Sequence, residues 1–161
     1  MLPDYFEFSL PTRVLYGIGV IDQLRDAVAP YGRRRALLVT DAVLVQAGLA
    51  ERVKAGFRQT AIEIAGVYDQ VPPNSTIRTV EDCAALGRAQ NCDLIIGLGG
   101  GSVLDTAKVA NILIVKGGQV QDHMGAYLLG QTKLLPLMLI PTTAGTGSEV
   151  TKVAVIADPE H

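Results

Sequence analysis

Residues Ile95 to Lys108, IIGLGGGSVLDTAK, pass from a short apolar run into Gly99-Gly100-Gly101-Ser102 and then into apolar positions at helical spacing. That order predicts a strand, a glycine turn and a helix. Glycines, lacking Cβ, let backbone N–H groups approach an anion closely, and the following helix directs the positive end of its dipole at the same point. The stretch is therefore a candidate diphosphate cradle, although a tight sheet-to-helix connection uses the same residues.

Gly97, Gly99 and Ser102 nearly fill the G-x-G-x-x-G spacing, with serine in the third place. The turn does not follow the first strand of the chain, so it departs from the Rossmann order, in which the acidic ribose ligand comes after the glycines. Upstream, Phe6 to Leu10 and Thr12 to Tyr16 read as two extended segments joined at Pro11, a candidate edge or exchangeable arm. Helical spacing in Ile21, Leu24 and Val28 ends at Pro30 and Gly32, before a buried strand over Ala36 to Thr40 that stops at Asp41. A weaker helix over Leu44 to Phe57 leads to a strand through Ile62-Glu63-Ile64 and Val67-Tyr68. Ser75 then stands where it can cap a helix carrying Ile77, Val80, Ala84 and Leu86. After the glycine turn, a helix over Val103 to Val115 stops at Lys116-Gly117-Gly118, and Leu134 to Ile140 reads as a further strand.

Strands that are continuous apolar runs, alternating with helices, predict an α/β fold with a parallel sheet covered on both faces. Four strand ends carry polar or glycine-bearing turns: Asp41, Asn74, Gly99 to Ser102, and Pro141-Thr142-Thr143. In such sheets ligands sit beyond the carboxyl ends of the strands, so all four turns can line one site.

The 161 residues suffice for one well-cored domain, and 14 basic against 16 acidic side chains leave no nucleic-acid footprint. Arg33-Arg34-Arg35 reads as a solvated turn. Leu134 to Ile140, the longest apolar stretch, is far too short to span a bilayer, and no apolar leader is evident, so a cytoplasmic setting is expected. Cys83 and Cys92 form neither a CxxC pair nor a metal comb and read as buried thiols.

The second informative segment is Pro141 to Thr151, PTTAGTGSEVT, which offers hydroxyls and exposed amides directly behind a buried strand. Taken with GGGSVLDTAK, Val39-Thr40-Asp41 and Pro73-Asn74, it resembles the iron-containing (group III) alcohol dehydrogenase family over essentially the whole chain. The resemblance implies that 1–161 is the family's N-terminal NAD-binding domain, Rossmann-like with a short N-terminal extended arm, and that the helical metal-binding domain lies outside this chain.

By that resemblance Gly99, Gly100, Gly101 and Ser102 would hold the cofactor pyrophosphate, with Asp105 and Lys108 on the supporting helix. Asp41 would accept hydrogen bonds from the adenosine ribose and repel the 2′-phosphate of NADP, favouring NAD. A helix N-cap or Asx turn is the rival role for Asp41. Asn74 matches an asparagine near the adenine end, but Ser75 stands where the family usually has proline, which implies a less rigid turn. Thr142, Thr143 and Thr146 would line the groove towards nicotinamide, Ser148 and Glu149 would shape the loop, and Lys152 is read as a solvated charge.

The implied chemistry is hydride transfer between an alcohol carbon and nicotinamide, with the alcohol or aldehyde oxygen polarised by divalent iron, sometimes zinc, held by one Asp and three His of the helical domain. Only His123 and His161 are present here, so no metal ligand and no catalytic residue is assigned, and the chain alone is expected to lack turnover. Ala157 to His161 shows no natural-looking capping element, as expected of an incomplete chain. The arm resembles the strand that family members exchange, implying a homodimer. The alternative is a stand-alone nucleotide-binding or dimerisation module without catalysis, which calls for polar sheet edges and helix faces.

Overall fold

The computed structural model describes residues 12–32, 34–125 and 132–158. Four parallel strands, β1 (Arg34–Val39), β2 (Ile62–Tyr68), β3 (Leu94–Gly99) and β4 (Leu137–Pro141), form one sheet in the order β2-β1-β3-β4. Ahead of β1 lies α1 (Leu24–Val28), and between the strands run α2 (Ala42–Gln46), α3 (Leu49–Phe57), α4 (Ile77–Ala89) and α5 (Gly101–Lys116).

The two-residue period of the strands divides the core. Leu37, Val39 and Ile95 face α4 and α5, whereas Ala36, Leu38, Leu94, Ile96 and Leu98 pack with Leu24, Val28, Ala50, Val53 and Phe57 of α1 and α3. Because both faces are covered, β1 and β3 hold no polar alternation, which is why they read as unbroken apolar runs. Gly97 lets α5 sit close: a Cβ there would stand 2.9 Å from Leu139 Cδ2 and 3.2 Å from Ala107 Cβ. Asn111, buried on α5, imitates a strand neighbour, its Nδ2 donating to the Leu135 carbonyl at 2.9 Å and its Oδ1 accepting the Leu135 N–H at 3.0 Å.

Several expectations need correction. The helix expected over Leu44 to Phe57 is two helices, because Gly48 takes a φ of 78° between them. The segment through Ile21 and Val28 is helical but mixed, with 3-10 turns at Val20–Gln23 and Ala29–Tyr31 around α1. Thr76, not Ser75, caps α4, its side chain accepting the Thr79 N–H. Thr12 to Tyr16 joins no strand ladder among the described residues, while Phe6 to Leu10, Arg33 and His161 lie outside them. Among the described residues no helix is long and apolar enough to cross a membrane.

Candidate functional site

The strand order reverses direction between β1 and β3, so the crevice beyond their carboxyl ends is the topological switch point of the sheet. Its two walls are the Asp41 turn after β1 and the glycine turn after β3. Buried Thr40 ties them, its hydroxyl donating to the Leu98 carbonyl at 2.9 Å while its N–H donates to Tyr68 of β2.

At the glycine turn Gly100 is the N-cap of α5 and no side chain caps the helix. The leading N–H groups of this sixteen-residue helix have no side-chain partner among the described residues, an arrangement that can receive an anion. Gly99 cannot carry a side chain, since a Cβ would stand 2.5 Å from Val103 Cβ. A Cβ on Gly100 would meet Thr143 Oγ1 at 3.0 Å, and one on Gly101 would meet Ser148 Oγ and Thr146 Cγ2 at 3.4 Å. The hydroxyl-bearing loop after β4 thus packs over the glycine turn, as the shared strand ends predict. The Thr142 N–H donates to the Gly99 carbonyl at 3.0 Å, while Gly145 and Gly147, at φ 97° and 68°, turn the exposed Thr142, Thr143 and Thr146 segment.

Asp41 fills its rival role in full: its Oδ1 accepts the Leu44 N–H at 2.9 Å and caps α2. Its Oδ2 accepts nothing among the described residues, so capping leaves one carboxylate oxygen for a ligand at the crevice. Asn74 is exposed at a φ of 57°, the left-handed region that asparagine tolerates. Its backbone N–H donates to Ser102 Oγ at 3.1 Å, which joins the turn after β2 to the glycine turn.

Asp105 sits differently from the other candidate cofactor residues. It is buried, with Oδ1 2.8 Å from Lys108 Nζ and Oδ2 accepting the Val155 N–H at 2.9 Å. Lys108 also donates to the carbonyls of Ser148, Thr151 and Val153. Both side chains hold the Pro141 to Val155 loop against α5, so Asp105 faces that loop's backbone. Ser148 is buried and shapes the loop; Glu149 Oε2 is buried without a hydrogen-bond partner among the described residues; Lys152 is exposed.

Sequence reasoning passed over Thr106 and assigned Ser75 to a cap. Both are buried, and Thr106 Oγ1 lies 2.6 Å from Ser75 Oγ. The available signal was a hydroxyl at position 106 between apolar Leu104 and Ala107, where a buried polar group needs a partner.

Cys83 and Cys92 are free and buried, as expected; burial pushes the Cys83 thiol up to about 12 and raises Cys92 as well. His123 bonds through Nε2 to the Gly117 carbonyl at 2.8 Å. Among the described residues no group of three or more His, Cys, Asp or Glu side chains could hold a metal ion.

The family model for iron-containing alcohol dehydrogenase matches residues 11–161. The chain is 39% identical to choline dehydrogenase of Bacillus subtilis (strain 168), over 99% of this chain and 40% of that protein. It is 42% identical to long-chain-alcohol dehydrogenase 1 of Geobacillus thermodenitrificans (strain NG80-2), over 88% of this chain and 36% of that one. Among solved structures, a 1,3-propanediol oxidoreductase superposes with a TM-score of 0.88 at 33% identity, covering 97% of this chain and 40% of that one. Sulfoacetaldehyde reductase from Bifidobacterium kashiwanohense in complex with NAD+ gives a TM-score of 0.85 at 28% identity, covering 98% and 41%. The chain thus spans about two fifths of the length of the curated relatives it matches.

Proposed function

The chain belongs to the iron-containing alcohol dehydrogenase family, and from that premise we propose that 1–161 is the NAD-binding domain of a metal-dependent alcohol dehydrogenase. The observation that carries the reading is the uncapped, glycine-led start of α5 at the switch point, one strand away from the Asp41 carboxylate. A relative captured with NAD+ supports the same cofactor. When bound, NAD supplies the ring that takes hydride from an alcohol carbon or returns it to an aldehyde.

The residues of this chain bind and orient. Backbone N–H groups at Gly100, Gly101 and Ser102 receive the diphosphate, with Gly99 allowing the turn to close. Asp41 receives the ribose hydroxyls on Oδ2 and disfavours the 2′-phosphate of NADP. Asn74 flanks the adenine end, Thr142, Thr143 and Thr146 line the side towards nicotinamide, and Asp105 acts by holding their loop. The described residues offer no cluster of His, Cys, Asp or Glu that fits the family's divalent iron or zinc.

The stand-alone module calls for polar faces, whereas Val150, Val153 and Val155 are 38%, 65% and 75% exposed, and the apolar edge strand β4 is only half-buried. That apolar surface favours the dehydrogenase reading. The proposal includes an alcohol or aldehyde substrate and a homodimer formed through the N-terminal arm. It also includes a cytoplasmic setting, which free Cys83 and Cys92 support.

Calorimetric titration of the 161-residue chain with NAD, then with NADP, tests the cofactor role. NAD is expected to bind in preference, and Gly101→Val, which fills the space beside Ser148 and Thr146, is expected to abolish binding. Absence of NAD binding by the parent chain overturns the proposal.

A further inference from the structure

Ser102 is held from two sides. Its Oγ accepts the Asn74 N–H at 3.1 Å, and its carbonyl accepts the Thr106 hydroxyl at 2.7 Å. Thr106 Oγ1 also lies 2.6 Å from Ser75 Oγ. The Thr106 hydroxyl donates towards both, to Ser75 Oγ and to the Ser102 carbonyl, so one α5 side chain ties the two residues together. Ser75 and Thr106 are 1% and 0% exposed, so no water competes for these bonds. The Ser75 backbone is fixed as well, its carbonyl accepting the Ala157 N–H at 2.8 Å.

A bond from Thr106 to the carbonyl four residues earlier is an ordinary helical back-bond. The contact with Ser75 is different, because it joins α5 to the turn after β2, the turn whose Asn74 N–H lands on Ser102 Oγ. That N–H occupies an acceptor site of the Ser102 hydroxyl. Its proton has no acceptor among the described residues, so it remains to donate.

We propose that Ser75 and Thr106 are positioning residues that hold Ser102 as a hydrogen-bond donor to the cofactor diphosphate. The inference rests on the NAD-binding reading above. It also revises the expectation for Ser75: the turn gains from a buried hydroxyl the fixity that a proline ring would otherwise supply.

The test measures NAD, ADP and adenosine affinities in Ser75→Ala, Thr106→Val, Thr106→Ser and Ser102→Ala. Loss of one hydrogen bond's worth of positioning predicts roughly tenfold weaker NAD and ADP binding in Ser75→Ala and Thr106→Val. Adenosine, which has no phosphate, is expected to bind as to the parent, and Thr106→Ser is expected to restore NAD affinity. In a Ser102→Ala background, Ser75→Ala is expected to cost nothing further, because the residue it positions is gone. NAD affinity within twofold of the parent in Ser75→Ala overturns the inference, as does equal weakening of adenosine, which marks general loosening. If Thr106→Val does not fold, the Ser75→Ala and Ser102→Ala pair decides by itself. Failure of the parent to bind NAD removes the cofactor reading and this inference with it, whereas a binding parent with indifferent variants removes the inference alone.

Discussion

At the residue scale, Asp41 carries two tasks on two oxygens. Oδ1 caps α2, and an N-cap is worth about 1 kcal/mol, so the carboxylate would be useful here even without a ligand. Asp41→Asn separates the tasks, because the amide oxygen still accepts the Leu44 N–H while the negative charge is gone. Its folding stability is expected to match the parent, and the NAD to NADP affinity ratio to fall roughly tenfold. An unchanged ratio in calorimetry would leave Asp41 as a cap alone. Ser75 shows how far residue-level reading reaches: a serine ahead of a helix is a fair cap candidate, but neighbouring Thr76 has the geometry to reach Thr79. Ser75 is free to turn inward because Thr106, thirty-one positions away, supplies a partner.

At the scale of elements, the loop after β4 is held as a unit by α5. Lys108 reaches three of its carbonyls and the Asp105 carboxylate, whose side chain is only 8% exposed. Lys108→Met removes the loop's clamp and leaves Asp105 buried with only the Val155 N–H. A loss of about 3 kcal/mol is expected in urea unfolding, since breaking one half of a buried pair strands the other charge. NAD binding is expected to weaken together with it, because Thr143 and Thr146 sit over the glycine turn through that clamp. Stability within about 1 kcal/mol of the parent would show that the loop holds by its other contacts.

At the scale of the whole molecule, the core is built to keep protons on its acids. Burial holds the Cys83 thiol up to about 12 against an ordinary 9.0, and Tyr68, with burial the largest cause, up to about 12 against 10.0. Above pH 9 the unfolded chain releases protons that the folded chain keeps. The stabilisation is therefore complete below about pH 9 and drains as pH rises towards 12. Urea midpoints are expected to be flat near neutrality and to fall through this alkaline window, with a shallower fall in Cys83→Ala. An identical slope in that variant would assign the alkaline loss elsewhere. Light scattering at micromolar protein is expected to give twice the chain mass, as the homodimer reading requires; a single-chain mass overturns it.

The sequence by itself determined the four strands, the glycine turn, the glycine stop of α5 and the gathering of the strand ends. These depend on local chemistry: a strand covered on both faces must be apolar throughout, and a helix must stop where Gly117 takes a φ of 70°. It also marked Gly99, Gly100, Gly101, Ser102 and the threonines of PTTAGTGSEVT, which the fold brings to one end of the sheet. Only the tertiary structure decided the partners of single polar side chains. Asp105 turns to Lys108 and Val155, Asn111 to Leu135, and Ser75 to Thr106, because a buried polar atom bonds whatever the fold places beside it. Apart from Lys108, one helical turn from Asp105, those neighbours lie tens of positions away in the chain, beyond the reach of any local pattern.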